Sequence, residues 1–183
     1  MKRNLFKRLA AGAIALAMTA LAAQAQPSIT GEISFSGGAT LNGPLGSATA
    51  FTSVFGPLGP GLDVPVVNSG ATGSYASVPV GTPVSFTPFA FNPAPASTFQ
   101  LWSFVDGGST YSFDVTSVSI AYQLPNFLNI EGTGVAYITG FAPTAGTWGI
   151  TDTGSTGPVF TFGNVVMVPE PDVPKERGAC FCC

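Results

Sequence analysis

The chain has 183 residues, of which only 8% are charged and none is histidine. Gly contributes 23 residues and Pro 16, and this density of helix breakers excludes a helical bundle or a coiled coil. No Lys or Arg lies between residues 9 and 174. The chain therefore lacks the basic surface that neutralises phosphates, and we expect no nucleic-acid partner.

The first 25 residues have the pattern of a bacterial secretory signal peptide. Four basic residues lie among the first eight, a run of small and apolar residues covers 9–21, and Ala23-Gln24-Ala25 provides a cleavage site before Gln26. The apolar run is too short to span a bilayer. We therefore expect export through the Sec route, removal of residues 1–25, and a mature protein that is secreted or held at the cell surface.

Short segments with β-strand character follow one another from Gln26 to Val168. Gly or Pro interrupts almost every window of ten residues, and alternating or β-branched segments recur between the interruptions. Strands are predicted over Ile29–Phe35, Ala48–Phe55, Gly73–Val78, Val84–Ala90, Thr98–Val105, Thr110–Tyr122, Phe127–Thr139, Thr147–Thr151 and Val159–Val168. This pattern predicts one all-β domain over residues 26–168, an antiparallel β-sandwich of jelly-roll-like type. A β-solenoid is the alternative architecture.

Two features of the central strands can be predicted in more detail. Asp106-Gly107-Gly108-Ser109 predicts a tight hairpin turn, because Asp-Gly and Gly-Gly tolerate positive φ. The apolar residues of the next strand change parity beyond Thr116–Ser117, which indicates a β-bulge there. Gly132 and Gly134 indicate a second bulge, between Ile130 and Val135.

The sequence offers little catalytic chemistry. Asp152-Thr153-Gly154-Ser155 matches the active-site tetrapeptide of aspartic proteases, but it occurs once and is also ordinary turn sequence, so a turn is predicted. Without His, and without Lys in the exported domain, Ser-His-Asp, Cys-His and Lys-based mechanisms are impossible. We expect a protein that is not an enzyme. A hydrolase that uses Asp114 or Asp152 is the alternative.

No metal or other cofactor is expected. Imidazole ligands are missing and no D-x-D-x-D run occurs, although calcium held by loop carboxylates and carbonyls is left open. The three cysteines are Cys180, Cys182 and Cys183. For them an intermolecular disulfide, metal binding and a tail without selected function are all open.

Most of the 15 Phe, 4 Tyr and 2 Trp residues are expected in the core. Trp102, Trp148 and Tyr122 are the candidates for an exposed aromatic platform that stacks on sugar rings. A carbohydrate-binding module is therefore an alternative function.

The tetrapeptide Val168-Pro169-Glu170-Pro171 follows this Ser/Thr/Gly-rich domain. Together with the signal peptide it resembles the start of the sorting tail of the PEP-CTERM family of exported bacterial proteins. The segments 102–104, 110–114, 132–134 and 140–148 are similar to one subgroup of that family. The resemblance implies that Val168–Pro171 is a sorting motif read by the membrane enzyme exosortase, and that the protein is associated with the cell surface and with exopolysaccharide.

The sequence departs from the family pattern after Pro171. The pattern continues with an apolar transmembrane helix and a basic cluster, whereas residues 172–183 contain no such helix. We interpret residues 169–183 as a disordered tail that was truncated or altered after the motif, and we expect no membrane span in the mature chain. A released variant is the alternative. The predicted function is a non-catalytic protein of the cell surface or extracellular matrix, with exosortase and extracellular polysaccharide as partners.

Overall fold

A computed structural model describes residues 25–154 and the backbone of residues 160–166. Within these ranges the strands are β1 (Gly31–Leu41), β2 (Phe51–Phe55), β3 (Val66–Val67), β4 (Ser85–Phe86), β5 (Phe99–Asp106), β6 (Ser109–Val115), β7 (Ser119–Leu124), β8 (Phe127–Ile138), β9 (Thr144–Asp152) and β10 (Phe160–Val166). The described part contains one short helix, a 3-10 turn over Gly73–Tyr75. The predicted all-β class is confirmed.

The strands form an antiparallel sheet in the order β2-β1-β10-β9-β8-β6-β5-β4, with β3 paired to β1 and β7 paired to β8. The long strand β8 pairs with β7 through its first half and with β6 through its second half. The first strand, β1, lies beside the last, β10. This antiparallel pairing of the two ends of the domain excludes the solenoid alternative, in which each coil contacts only its neighbours.

The sheet folds over so that its two ends pack face to face. Phe35 in β1 meets Phe86 in β4 and Trp102 in β5, with ring centroids 5.3 and 5.0 Å apart. These strands are far apart in the sheet order, so the contacts join opposite layers. The fold is the predicted antiparallel β-sandwich, and its aromatic core fills the space between the layers.

The strand predicted over Gly73–Val78 is wrong. This segment begins with the 3-10 turn, whose Gly73 has φ +56 and packs against the backbone of Thr30. The Ser74 hydroxyl accepts a hydrogen bond from the Thr30 amide at 3.0 Å, and Tyr75 is completely buried. The turn therefore packs the Tyr75 side chain into the core beside β1. This tertiary packing outweighs the local preference of the segment for a β-strand.

The bulge predicted at Thr116–Ser117 is confirmed. The amides of both residues donate to the carbonyl oxygen of Thr133, at 2.9 and 3.1 Å, as two residues facing one partner do in a bulge. The interruption separates β6 from β7, so the single strand predicted over Thr110–Tyr122 is divided. The hairpin turn at Gly107–Gly108 is also confirmed, since both residues have positive φ, 55 and 81.

The second predicted bulge, at Gly132 and Gly134, is wrong. The register of β8 with β9 runs without a shift from Leu128↔Asp152 to Ala136↔Thr144. These glycines instead make room for the neighbouring strand. A Cβ on Gly132 would collide with the carbonyl oxygen of Ser117, and one on Gly134 would collide with the Phe113 ring.

Candidate functional site

Trp102 does not form a sugar-binding platform, which corrects the sequence-based suggestion. Its side chain is only 2% exposed. It stacks on Phe104 and Phe113, with centroids 5.8 and 6.1 Å apart, and meets Phe35 edge to face. A ring enclosed on both faces is part of the core and offers no surface to a ligand.

Trp148 is also a core residue, with 4% of its surface exposed, and its ring meets Phe89 edge to face at 5.8 Å. This too corrects the suggested platform. The indole nitrogen is buried, and no hydrogen-bond acceptor reaches it within the described part of the chain. It lies 2.8 Å from the position that a Cβ on Gly132 would occupy. Trp148 therefore packs under this glycine, directly beneath a surface groove.

The groove lies on the outer face of β7, β8 and β9 and has a volume of about 610 Å³. Six of its nine lining residues carry hydrogen-bonding hydroxyl, amide or carboxylate groups: Ser117, Ser119, Asn129, Glu131, Thr133 and Thr147. Gly132, Trp148 and Gly149 complete the lining. Sequence reasoning missed this site, because its residues converge only through the pairing of three strands.

The strand register explains how the groove forms. Residues paired across an antiparallel ladder project from the same face, and Glu131 is paired with Ser119 on one side and with Gly149 on the other. Gly149 is in turn paired with Gly163 of β10. Two successive positions without a side chain therefore leave open space beside the Glu131 carboxylate.

The bulge supplies a rigid group of hydroxyls at one end of the groove. The Thr133 hydroxyl lies 2.7 Å from the Ser117 hydroxyl and 3.0 Å from that of Thr116. The Thr133 amide also donates to the Ser117 hydroxyl at 2.9 Å. These bonds hold the side chains in place before any ligand arrives, which lowers the entropic cost of binding.

An exposed aromatic ring lies beside the other end of the groove, next to the lining residue Asn129. Tyr122 is 63% exposed and is the cross-strand partner of Asn129, a groove residue. Phe127 supports it edge to face, with centroids 6.5 Å apart. Of the three aromatic residues suggested from the sequence, Tyr122 is the one that the structure places at an accessible surface.

The two carboxylates suggested as alternatives for a hydrolase, Asp114 and Asp152, lie on opposite faces of the sheet. Asp152 is buried on the inner face, opposite Leu128, and its Oδ1 accepts a hydrogen bond from the Gly154 amide at 2.8 Å. This is the turn geometry predicted for the motif, seen as far as Gly154. Asp114 lies on the outer face between Gln100 and Val135, where burial raises the pKa of its carboxyl.

Over the described residues, no group of three or more His, Cys, Asp or Glu side chains is arranged to hold a metal ion. No helix in that part of the chain is long and apolar enough to cross a membrane. Ala25 and Gln26, on either side of the predicted cleavage point, are exposed. Ala23 and the rest of the predicted signal peptide, the motif Val168–Pro171, and Cys180, Cys182 and Cys183 lie outside the described residues.

No protein-family model, no curated protein and no solved structure matches this chain in the comparisons made with each.

Proposed function

We propose that this chain is a non-catalytic exported protein of the cell surface or extracellular matrix, and that it holds polysaccharide in the groove on β7, β8 and β9. The export part of the proposal is supported by the signal-peptide pattern of residues 1–25 and by the motif Val168–Pro171, at which exosortase would act. The binding part is supported by the groove itself.

The observation that carries the binding proposal is a groove of hydroxyl, amide and carboxylate groups with an exposed ring at its end. Sugar hydroxyls both donate and accept hydrogen bonds, and Ser, Thr and Asn side chains do the same. The apolar face of a sugar ring packs on an aromatic ring such as that of Tyr122. From Asn129 to Thr133 the groove follows β8 for about 13 Å, which suits a short stretch of a linear polysaccharide.

The test is electrophoresis of the full chain through gels that contain neutral polysaccharides. We expect retardation of the wild-type protein in at least one gel, and at least about tenfold weaker retardation of Tyr122→Ala and Asn129→Ala, since each removes one side of the site. Tyr137→Ala is the matched control. Tyr137 is another exposed tyrosine, 38% exposed, and it lies on β8. It is about 13 Å along that strand from Thr133, outside the groove.

The control variant should be retarded like the wild type. Equal mobility of all proteins with and without polysaccharide, or equal retardation of the Tyr122→Ala and Tyr137→Ala variants, would contradict the proposed site.

A further inference from the structure

We propose that the groove prefers polysaccharides that carry amino groups, with the ammonium group of an amino sugar bound to the Glu131 carboxylate. This inference rests on the proposed function and specifies the class of ligand that the same groove accepts.

Among the described residues, no cationic side chain is present that could pair with the Glu131 carboxylate. Glu131 is exposed, it lines the groove, and the chain has no Lys or Arg between residues 9 and 174 and no His at all. An ionised carboxylate only accepts hydrogen bonds. The ligand group that complements it best is therefore a cationic donor, because hydrogen bonds between charged groups are about twice as strong as neutral ones.

Open space lies beside the Glu131 carboxylate on the β9 side. Gly149 lies directly opposite Glu131, and a Cβ placed on Gly149 would have only the Ile130 carbonyl oxygen nearby, at 3.7 Å. The gap lets a ligand group reach the carboxylate from the β9 side. The neutral side chain of Asn129 lines the same groove and offers a donor and an acceptor to sugar hydroxyls.

The electrostatic field of the whole domain also favours a cationic ligand. The domain, residues 26–168, contains six carboxylates, at positions 32, 63, 106, 114, 131 and 152, of which only Asp152 is buried, and no basic side chain. Such a surface attracts polycations and repels polyanions at moderate salt. We therefore expect uronic-acid polysaccharides to bind the groove less tightly than neutral ones, and amine-bearing polysaccharides to bind it more tightly.

The experiment compares two ligands of equal length, an oligomer of glucosamine and its fully N-acetylated counterpart, titrated calorimetrically into the full chain below the pKa of the free amine. We expect the charged oligomer to bind about fivefold to tenfold more tightly, which is the difference between a charged and a neutral hydrogen bond. Glu131→Gln keeps the shape of the side chain and removes its charge, so both oligomers should then bind equally.

Two variants separate site binding from general attraction between a cationic ligand and an acidic protein. Glu32→Gln removes an exposed carboxylate in β1, outside the groove, and should keep the preference. Gly149→Val fills the gap beside Glu131 and should weaken the binding of both oligomers.

The outcomes distinguish failure of the proposed preference for amines from failure of the proposed polysaccharide binding. The role of Glu131 is overturned if the Glu131→Gln variant still prefers the charged oligomer. It is also overturned if the Glu32→Gln variant loses this preference to the same extent as Glu131→Gln. Equal binding of both oligomers to the wild type overturns the preference for amines while the proposed function stands. Absence of binding for these oligomers and for the neutral polysaccharides overturns both.

Discussion

Glu131 of β8 lies opposite Gly149 of β9, so a carboxylate on the outer face is paired with a position that has no side chain. The next pair along the ladder, Gly132 and Trp148, is directed to the interior. Gly149 leaves space that a ligand can use, whereas Gly132 leaves space that the bulge and the indole already occupy. Two glycines on adjacent strands therefore serve different purposes.

This difference predicts opposite responses to the same substitution. Gly132→Ala should lower the free energy of unfolding by about 1–3 kcal/mol, because its methyl group would collide with the Ser117 carbonyl oxygen and crowd Trp148 Nε1. Gly149→Ala should change it by no more than about 0.5 kcal/mol, since its methyl group would make one ordinary contact. Urea unfolding, monitored by tryptophan fluorescence, measures the free energy of unfolding of both variants. Equal losses for the two variants would show that the bulge does not pack against Gly132.

A second prediction separates the core aromatics from the surface one. Trp102→Ala should cost about 3–5 kcal/mol of stability, because it empties a large space between the two layers. Tyr122→Ala should leave stability within about 0.5 kcal/mol of the wild type. Thermal unfolding gives the order of stability of the two variants and the wild type. Circular dichroism shows whether Trp102→Ala folds at all. Near-wild-type stability of Trp102→Ala would contradict its position in the core.

Local chemistry explains which parts of the fold could be predicted from the sequence. The turn at Gly107–Gly108 depends on two adjacent residues that tolerate positive φ, and the bulge at Thr116–Ser117 is visible as a parity change within one strand. Both signals are contained in a few neighbouring residues. The 3-10 turn that begins segment 73–78 could not be predicted in this way. It depends on the packing of Gly73 against the backbone of Thr30, which is far away in the sequence.

The candidate site required information that a single strand does not contain. Tyr122 could be named from the sequence as a candidate, together with Trp102 and Trp148. The sequence does not show which of the three is exposed, because each lies in a strand whose residues alternate between the two faces of the sheet. The pairing of Glu131 with Gly149 depends on the register between β8 and β9. A shift of one residue would turn Glu131 to the inner face.

Asp114 predicts a pH dependence of stability. Burial raises the pKa of its carboxyl above the ordinary value of 3.8, so the folded state binds a proton more tightly than the unfolded state. Stability contributed by this group therefore falls as the pH rises from 3.8 through the raised pKa, and stays low above it.

Asp114→Asn should consequently be more stable than the wild type at neutral pH, and its advantage should shrink as the pH falls through that window. Urea unfolding of both proteins at several pH values measures this difference, with Glu32→Gln as the control for net charge. A constant advantage at every pH would argue against burial of the charged form as the cause.

The export part of the proposal predicts the mass of the native protein. Purified from fractionated cells and medium, it should begin at Gln26 and end near Val168–Pro171 if the motif is processed. Intact-mass spectrometry measures both ends in one experiment. A native mass that retains residues 1–25 would contradict export, and one that extends to Cys183 would contradict processing at the motif.

The most direct test of the central claim is to map bound ligand onto the sheet. We would titrate the ¹⁵N-labelled full chain with the oligosaccharide of whichever polysaccharide retards it most, and follow the backbone amides by NMR. The account predicts shifts concentrated in residues 117–133 and 147–151, with the largest near Glu131 and Gly149, and their loss in Gly149→Val. Shifts centred on another surface, or unchanged shifts in Gly149→Val, would show that the groove is not the binding site.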